Sequence, residues 1–367
     1  QESRGLGDVY KRQISISLGI VAVLPGAFDA SFTASAGYVI RSMVGGIDSF
    51  PLLAVPMFVL AGILMAHGKI SEKLFDVFVY FLGNKRAGIP CAVIITCLFY
   101  GAISGSAPAT VAAVGSMTIP LLIELGYEKD FSTAIVAVAG GLGVIIPPSI
   151  PFIMYAMATG ESVSDLFLAG IVPGMMISAL LIFYAYYYCR RHGEDREKIQ
   201  AKMDQLKTKG FVNILKESIW ALLSPVIVLG CIYSGVASPT EAAVISVFYS
   251  LFVSLFIYKS IKVKQIWGIM VEAMKTYAPI LFILATSTAF SRVLTLMQVP
   301  QDVSAWIMTH FSNEIVLLLV INVVLLIVGM VMDTTPAILI LSPILLPIVE
   351  HVGMNPIHFG VMVIVNL

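Results

Sequence analysis

The chain is poor in charged residues. Only 12% of its 367 residues are Asp, Glu, Lys or Arg, 58% are hydrophobic, and the 22 basic residues balance the 22 acidic ones. Soluble domains carry about 25% charged residues, so the composition excludes an ordinary soluble domain. The zero net charge argues against a nucleic-acid partner. The composition predicts a polytopic membrane protein in contact with lipid.

Reactive and metal-binding side chains are also scarce. The four cysteines lie in or beside apolar segments without CxxC spacing, so we interpret them as buried small hydrophobic residues. A GLGD pattern at residues 5–8 resembles intramembrane aspartyl proteases, but it lies in a polar, charged segment instead of an apolar one. No paired catalytic residues are evident elsewhere, and we therefore do not expect an enzyme.

Apolar blocks of roughly the 20 residues that span a bilayer follow one another along the chain. This pattern predicts an all-α fold. The first 13 residues, QESRGLGDVYKRQ, are polar and lack an initiating Met, and we interpret residues 1–13 as a non-native addition. The last apolar run stops at Leu367 while still hydrophobic, which leads us to expect a C-terminal truncation.

One long polar run divides the chain. Residues 190–210 hold seven Lys or Arg against four Asp or Glu, and the positive-inside rule places such a run in the cytoplasm. We therefore predict a first repeat over 14–189, a cytoplasmic basic loop or amphipathic connector over 190–219, and a second repeat over 220–367.

The two halves share a motif. Residues 101–126 read GAISGSAPATVAAVGSMTIPLLIELG, and residues 329–353 read GMVMDTTPAILILSPILLPIVEHVG. The copies match at their first and last glycines and at two prolines, with a slip of one residue between them. Both are followed by a short polar turn and a further apolar run. These features indicate an internal repeat.

Each copy interrupts an apolar block with polar residues and a proline. Proline removes a backbone donor and frees a carbonyl, and lipid-exposed groups of this kind cost several kcal/mol each. Such breaks persist where they line a cavity, and two in matching positions indicate a transporter binding site between inverted repeats. We expect each copy to be a re-entrant helical hairpin with the polar cluster at its tip.

The tips offer oxygen atoms. The first supplies hydroxyl groups and the second a carboxylate with two hydroxyls, from Ser104, Ser106 and Thr110 and from Asp333, Thr334 and Thr335. Oxygen-rich shells with freed carbonyls suit a dehydrated sodium ion. Helix N-termini starting at Pro108 and Pro336 would direct amide donors toward a bound anion.

Asp333 is the most informative single residue. A carboxylate at the centre of a membrane helix costs about 2.5–3.5 kcal/mol on insertion scales, so it needs a compensating partner. Its apolar block contains no Lys or Arg, which leaves a bound cation or helix amides. A pure capping role for Asp333 is the alternative, and both roles are compatible.

A third irregular stretch, AGGLGVIIPPSIP, covers residues 139–151. Three glycines and three prolines in thirteen residues are incompatible with a continuous helix, so we expect a second kind of broken helix that exposes carbonyls.

Together these motifs carry a resemblance. GAISGSAPATVAAVGSMTIPLLIELGY, IIPPSIP, SPTEAA, MDTTPAILILSPILLPI and GMNPIHFGVMVIVNL, taken in order, resemble the large membrane subunit of tripartite ATP-independent periplasmic (TRAP) transporters, the DctM-like family. The resemblance runs from about residue 13 to 367. It implies an elevator-type fold like that of the ion transporter superfamily, with the hairpin tips on a mobile domain.

The resemblance also implies the site residues. One sodium ion would be held by Ser104, Ser106 and the broken-helix backbone at Gly143, Ile146 and Pro148, and a second by Asp333 and Thr334. Substrate would contact the hairpin tips through Ser106, Ala107, Pro108, Thr110, Thr334, Thr335 and Pro336.

The implied function is sodium-driven import of an organic acid, such as a C4-dicarboxylate or a sialic acid, across a bacterial inner membrane. The implied partners are a small DctQ-like membrane subunit and a periplasmic DctP-like binding protein. No cofactor beyond the coupling sodium ion is implied. A stand-alone sodium/carboxylate symporter of a related two-hairpin family is the alternative.

Overall fold

The protein is described here by a computed structural model that covers residues 2–28, 32–208, 210–310 and 313–367. Side chains are described throughout these ranges except at 2–12, 211, 304, 308 and 310. The predicted addition at 1–13 therefore lies, apart from the side chain of Gln13, outside the described side chains.

Helices make up the regular structure. In chain order the α-helices are α1 (Glu2–Phe28), α2 (Ala36–Ile47), α3 (Ala54–His67), α4 (Ile70–Leu82), α5 (Gly88–Ser104), α6 (Ala107–Glu124), α7 (Lys129–Gly140), α8 (Leu142–Ile145), α9 (Ile150–Thr159) and α10 (Val163–His192). They continue with α11 (Arg196–Thr208), α12 (Phe211–Tyr233), α13 (Pro239–Phe252), α14 (Val263–Leu296), α15 (Val299–His310), α16 (Glu314–Val331), α17 (Thr334–His351) and α18 (Pro356–Asn366).

The prediction of an all-α polytopic membrane protein is confirmed. Eight helices in the described ranges are long and apolar enough to cross a membrane, or nine if α7–α8 and α9 count as one interrupted span. No strand occurs among the described residues. Length and composition alone place α6, α16 and α17 among the eight.

Local sequence signals set the helix ends. Ser238 caps α13, and its side chain and that of Glu241 form a reciprocal capping box, as the SPTEAA motif predicts. Asn355 caps α18, where its side chain accepts from the backbone N–H groups of Ile357 and His358. Pro239 and Pro356 stand at the first helical position, where no donor is lost.

The chain folds as two compact units, and neither coincides with one sequence repeat. The first unit comprises residues 1–53, 151–169 and 274–367, and the second comprises residues 54–150 and 170–273. Each unit thus takes segments from both halves of the chain. The first hairpin falls in the second unit, and the second hairpin falls in the first unit.

The second unit holds the larger core, centred on helix α5. Tyr100 and Ile103 of α5 are buried, and the Tyr100 hydroxyl donates to the Gly62 carbonyl of α3 over 2.9 Å. The contact ties α5 to α3 below the first hairpin tip. A buried hydroxyl of this kind keeps its hydrogen bond and so fixes the two helices in register.

Helix α11, in the polar connector, packs against α4. Ile199, Met203 and Leu206 are buried along one face of α11, which contacts α4. This spacing of four and three residues is that of an amphipathic helix. The connector is therefore an ordered helix lying on the second unit.

Glu194 fixes the start of this connector. Its side chain, 2% exposed, accepts hydrogen bonds from the Tyr127 hydroxyl over 2.7 Å and from the Ala87 backbone N–H over 3.0 Å, and pairs with Arg196 over 3.1 Å. Burial and then the hydrogen bond to Glu194 raise the pKa of Tyr127, so this phenol remains a donor at neutral pH.

In the first unit, Tyr155 of α9 contacts helix α18. The Tyr155 hydroxyl donates to the Pro356 carbonyl over 2.7 Å, and the Tyr155 and Phe359 rings meet edge to face with centroids 6.3 Å apart. Gly360 allows this approach, because a methyl group there would lie 2.5 Å from the Tyr155 ring. These contacts hold the helix that flanks the second hairpin.

Candidate functional site

The first hairpin tip lies between α5 and α6. Gly105 ends α5 with a left-handed backbone, φ 61°, and its N–H donates to the Gly101 carbonyl over 3.0 Å. Ser106 is extended, φ −142°, and precedes α6. Glycine adopts the left-handed conformation without strain, so Gly105 and Ser106 can form a two-residue break between two apolar helices.

Hydroxyl groups converge at this tip. The Ser104 and Thr110 hydroxyl oxygens lie 3.0 Å apart, and the Thr110 hydroxyl donates to the Ser106 carbonyl over 2.9 Å. Ser104 and Thr110 are buried, whereas Ser106 is half-buried. Three residues predicted from the repeat thus place their oxygens in one cluster, which we call the first-tip oxygens.

The broken segment 139–151 runs against the first tip. A methyl group on Gly101 would lie 2.6 Å from the Gly143 Cα, and one on Gly143 would lie 2.5 Å from the Thr110 hydroxyl oxygen. Both glycines are buried. Their missing side chains are what allow the backbone of the broken segment to approach the first-tip oxygens.

Further contacts join this segment to the tip. The Ile150 backbone N–H donates to the Gly105 carbonyl over 3.1 Å, and a methyl group on Gly105 would lie 2.9 Å from the Pro148 carbonyl oxygen. Ile146 follows α8 with an extended backbone, and its side chain packs against Gly174 of α10. The structure therefore brings Gly143 and Pro148 to the tip, while Ile146 directs its side chain elsewhere.

The second hairpin tip lies between α16 and α17. Met332 and Asp333 are both extended, and Asp333 occupies the N-cap position of α17 with a half-buried side chain. The Asp333 carbonyl accepts from the Ala337 N–H over 3.3 Å. The acidic residue thus combines the capping position with a place at the break.

The threonines of the second tip differ in exposure. Thr334 is half-buried and its hydroxyl donates to the Leu367 carbonyl over 3.3 Å, whereas Thr335 and Pro336 are buried. At the first tip, Pro108 is exposed and Ala107 is half-buried. Of the residues predicted to meet substrate, those nearest the surface are therefore Pro108, Ser106, Ala107 and Thr334.

One prediction needs correction in detail. The helices were expected to start at Pro108 and Pro336, but α6 begins at Ala107 and α17 at Thr334. Proline is tolerated anywhere in the first helical turn, where the N–H group has no intrahelical partner, so it does not mark the first residue itself. The amide groups that face each break are consequently one or two residues earlier.

Two asparagines at the second hairpin were missed by the sequence reasoning. The Asn366 side-chain amide donates to the Asn322 side-chain oxygen over 2.8 Å and to the Met362 carbonyl over 2.7 Å. A methyl group on Gly329 would lie 3.0 Å from the Asn366 carbonyl oxygen. The signal was available, because an amide side chain inside an apolar block usually bonds across helices.

Both tips present hydroxyl and carbonyl oxygens, and the second tip adds the carboxylate of Asp333. Over the described ranges, no group of three or more His, Cys, Asp or Glu residues lies close enough to hold a metal ion. The four cysteines are free thiols, two of them buried, which agrees with their interpretation as small apolar residues.

The fold and the paired breaks define a multi-pass membrane transporter component. Residues 8–367 match the family described as the tripartite ATP-independent periplasmic transporter, DctM component. The chain belongs to this family. The resemblance inferred from the motifs is thereby confirmed, as are the membership of a tripartite system, the location in the inner membrane and the expectation that the chain is not an enzyme.

Individual relatives agree with this assignment. The chain is 42% identical to an isethionate TRAP transporter permease, DctMQ, of Oleidesulfovibrio alaskensis, covering 96% of this chain and 55% of the relative. It is 39% identical to the C4-dicarboxylate TRAP transporter large permease DctM of Pseudomonas aeruginosa, covering 87% and 74%. It is 38% identical to the 2,3-diketo-L-gulonate large permease YiaN of Escherichia coli, covering 89% and 75%.

A solved structure shares the fold. The crystal structure of the YdaH transporter of Alcanivorax borkumensis matches with a TM-score of 0.64 at 14% identity, covering 98% of this chain and 86% of that one. At this identity the likeness concerns the fold alone.

Proposed function

We propose that the chain is the large membrane subunit of a sodium-driven TRAP transporter that imports an organic acid. The observation that carries the proposal is the pair of matching hairpin breaks. Each places oxygen atoms at a two-residue interruption between apolar helices, with Ser106 at the first and Asp333 at the second. Breaks of this kind persist in membrane proteins where they line a site.

The first sodium site in this proposal uses the first-tip oxygens. Ser104 and Thr110 place hydroxyl oxygens 3.0 Å apart, with the Ser106 carbonyl 2.9 Å from the Thr110 hydroxyl. Oxygen ligands of hard cations such as calcium lie about 2.3–2.6 Å from the ion, so neighbouring ligands sit somewhat over 3 Å apart. The hydroxyl hydrogens rotate away when a cation binds, and carbonyls at Gly143, Ile146 and Pro148 complete the shell.

The second sodium site uses Asp333 and Thr334. A carboxylate at an apolar break is favoured when a cation neutralises it. The hydroxyl of Thr334 and the carbonyl of Leu367, 3.3 Å from it, are further oxygens in reach of the same ion. The two sites differ in charge, since only the second contributes a carboxylate.

The substrate in this proposal is a small organic acid. The relatives described above are named as transporters of isethionate, C4-dicarboxylates and 2,3-diketo-L-gulonate, and all of these substrates are organic anions. Sialic acids belong to the same class. The first turn of α6, with Ser106, Ala107, Pro108 and Thr110, and that of α17, with Thr334, Thr335 and Pro336, each present backbone N–H groups that suit an acid group.

The proposed assembly is tripartite. A periplasmic DctP-like protein delivers the acid and a small DctQ-like membrane subunit accompanies this chain. In this proposal the hairpins are re-entrant, the two repeats are inverted, and transport follows an elevator mechanism. Family membership favours this assembly over the stand-alone symporter.

Uptake measurements test the proposal. The permease, reconstituted in vesicles with both partners, should take up radiolabelled succinate or isethionate only when a sodium gradient is present. Asp333→Ala should abolish this uptake and Ser106→Leu should block it at the first tip. Asp302→Asn, an acidic residue in the first turn of α15, is the matched control and should retain wild-type uptake. Equal uptake without sodium would reject the proposal.

A further inference from the structure

A cavity in the first unit is lined in part by Arg292, an exposed residue that follows an uncharged stretch of α14. The cavity has a volume of about 290 Å³ and is lined by Ser49, Thr288, Ser291 and Arg292 on its polar side. Leu284 and Leu339 are among its apolar walls. Helix α14 supplies both the cation and part of the wall.

Arg292 has hydrogen-bonding capacity to spare. In the described ranges, no Asp or Glu lies within ion-pair distance of its guanidinium, and no acceptor is hydrogen-bonded to it. A guanidinium carries five N–H donors in a planar fork that matches a carboxylate or sulfonate. The side chain is thus set to receive an anion.

Glycines bring this guanidinium to the cavity. A methyl group on Gly46 would lie 2.7 Å from the Thr288 side chain, so the end of α2 contacts α14 directly. A methyl group on Gly45 would lie 3.7 Å from an Arg292 Nη atom, so the guanidinium packs over this glycine. The close approach of the two helices positions the cation over the cavity.

Hydroxyl groups complete the polar side. The Thr288 hydroxyl donates to the Leu284 carbonyl over 2.8 Å, which uses its only hydrogen. The hydroxyls of Ser49 and Ser291 have no such bond in the described part of the chain and remain available as donors. Arg292, Ser49 and Ser291 therefore form a set of donors without a competing carboxylate.

The position of Arg292 along α14 is a second indication that this residue binds an anion. Residues 276–291 are uncharged, and at 1.5 Å per residue they separate Lys275 from Arg292 by about 25 Å. Lys259, Lys262 and Lys264 lie before or at the start of α14, and the positive-inside rule indicates that this end of the helix faces the cytoplasm. Arg292 lies toward the other end of the span. The positive-inside rule disfavours a cation there, so topology does not explain it.

We propose that this cavity binds a small organic anion, whose carboxylate or sulfonate is held by the Arg292 guanidinium with the Ser49 and Ser291 hydroxyls. The proposal rests on the proposed transport function and names the group that recognises the acid. Leu339 and Pro343 of α17 line the same cavity, roughly one and a half and two and a half helical turns beyond the second tip. An anion held here lies beside α17, the helix that Asp333 precedes as N-cap residue.

The cavity volume restricts the ligand. Small-molecule sites occupy roughly 300–1,000 Å³, and about 290 Å³ lies at the lower limit of that range. A four-carbon diacid or a two-carbon sulfonate fits this volume better than a nine-carbon sugar acid. The anionic headgroup of a phospholipid offers the same charge, and the experiment separates it from a small solute.

Direct binding tests the proposal without transport. The assembled permease in detergent is titrated calorimetrically with succinate and with isethionate. Arg292→Gln should weaken binding of whichever anion the wild type takes by about tenfold or more, equivalent to about 1.4 kcal/mol, and Arg292→Lys should fall between. Ser49→Ala with Ser291→Ala should also weaken binding. Arg41→Gln, an exposed arginine on α2, is the matched control and should bind normally.

A labelling experiment covers variants that fold poorly. Ser291→Cys should react with a maleimide, succinate or isethionate should slow the reaction, and this protection should vanish when Arg292→Gln is added. Slowing by anionic phospholipid in nanodiscs, with none by the small anions, would overturn the proposal in favour of a headgroup site. Unchanged anion affinity in a folded Arg292→Gln variant would also overturn it.

The outcomes separate this inference from the proposed function. If Asp333→Ala loses sodium-driven uptake but still binds the anion, the result supports the sodium site at Asp333 and leaves the Arg292 site intact. Anion binding by the wild type without any sodium-driven uptake would reject the transport mechanism and leave the Arg292 site in place. Normal uptake and normal binding in Arg292→Gln would reject the Arg292 site and leave the transport mechanism in place.

Discussion

The two hairpin tips share a sequence pattern but differ in how their polar groups are satisfied. At the first tip, the hydroxyl groups of Ser104 and Thr110 are buried and bond to each other and to the backbone carbonyl of the half-buried Ser106. At the second, Asp333 is a half-buried carboxylate and Thr334 bonds to the Leu367 carbonyl. One tip is neutral and closed by its own hydroxyls, whereas the other brings a negative charge to an apolar setting.

The tips also differ in packing. Gly101 meets the backbone of Gly143 so closely that a methyl group would lie 2.6 Å from its Cα. Its repeat counterpart, Gly329, would place a methyl group 3.0 Å from Asn366 and Leu367 backbone atoms. Both tips therefore need a small residue below them, but the space around Gly101 is tighter than the space around Gly329.

The largest expected effect comes from removing the charge at the second tip. Asp333→Asn keeps the size of the side chain and should lower the apparent sodium affinity of uptake by about 10- to 100-fold, because a charge-assisted contact is worth about 1.5–3 kcal/mol. The sodium dependence of succinate or isethionate uptake measures this. A normal sodium curve would remove Asp333 from the ion site.

Glycine substitutions below the tips should follow in size. Gly101→Ala should destabilise the protein by about 1–3 kcal/mol, since a methyl group meets backbone that has little room to shift. Gly329→Ala should cost about 1 kcal/mol, because backbone atoms 3.0 Å from the new methyl group have to shift by only a few tenths of an ångström. Thermal unfolding of the two variants side by side checks the order, and equal losses would show that the two tips are packed alike.

A smaller effect is expected at the first tip. Ser104→Ala removes one neutral hydroxyl and should lower sodium affinity severalfold, in line with about 0.5–1.5 kcal/mol for a hydrogen-bonded group. Thr118→Val is the matched control, because Thr118 lies on α6 and bonds only to its own helix at Val114. If Ser104→Ala and Thr118→Val behave identically, the first-tip oxygens do not bind the ion.

The smallest effect is expected for the asparagine pair. Asn366→Ala breaks the bonds to Asn322 and Met362, and interhelical hydrogen bonds in membrane proteins average about 0.6 kcal/mol. Thermal stability should fall slightly while the sodium requirement of uptake is retained. A loss of sodium dependence would instead add Asn366 to the second site.

The sequence predicted the parts of this structure that follow from local physics. Gly105 and Pro108 mark the first break and Pro336 marks the second, because proline removes a backbone donor and glycine permits the left-handed turn within a few residues. The SPTEAA capping box at Ser238 and the break within 139–151 are local in the same sense. Hydrophobic block lengths predicted the membrane helices for a similar reason.

Other features depend on contacts distant in the chain. The division into two units mixes segments from both halves, and no periodic pattern specifies which helices pack together. The cavity at Arg292 requires Ser49 and Leu339 to meet α14 from positions far away in sequence. The sequence carried a cue in the lone arginine after an uncharged run, but only the assembled helices show that a cavity receives it.

The two proposed sodium sites can be counted by equilibrium binding of radioactive sodium to the purified permease and to its Asp333→Asn, Ser104→Ala and double variants. The wild type should bind two ions per chain. Asp333→Asn should lose one ion, Ser104→Ala should bind the other more weakly, and the double variant should bind almost none. Sodium binding that is unchanged in the double variant would contradict both proposed sites.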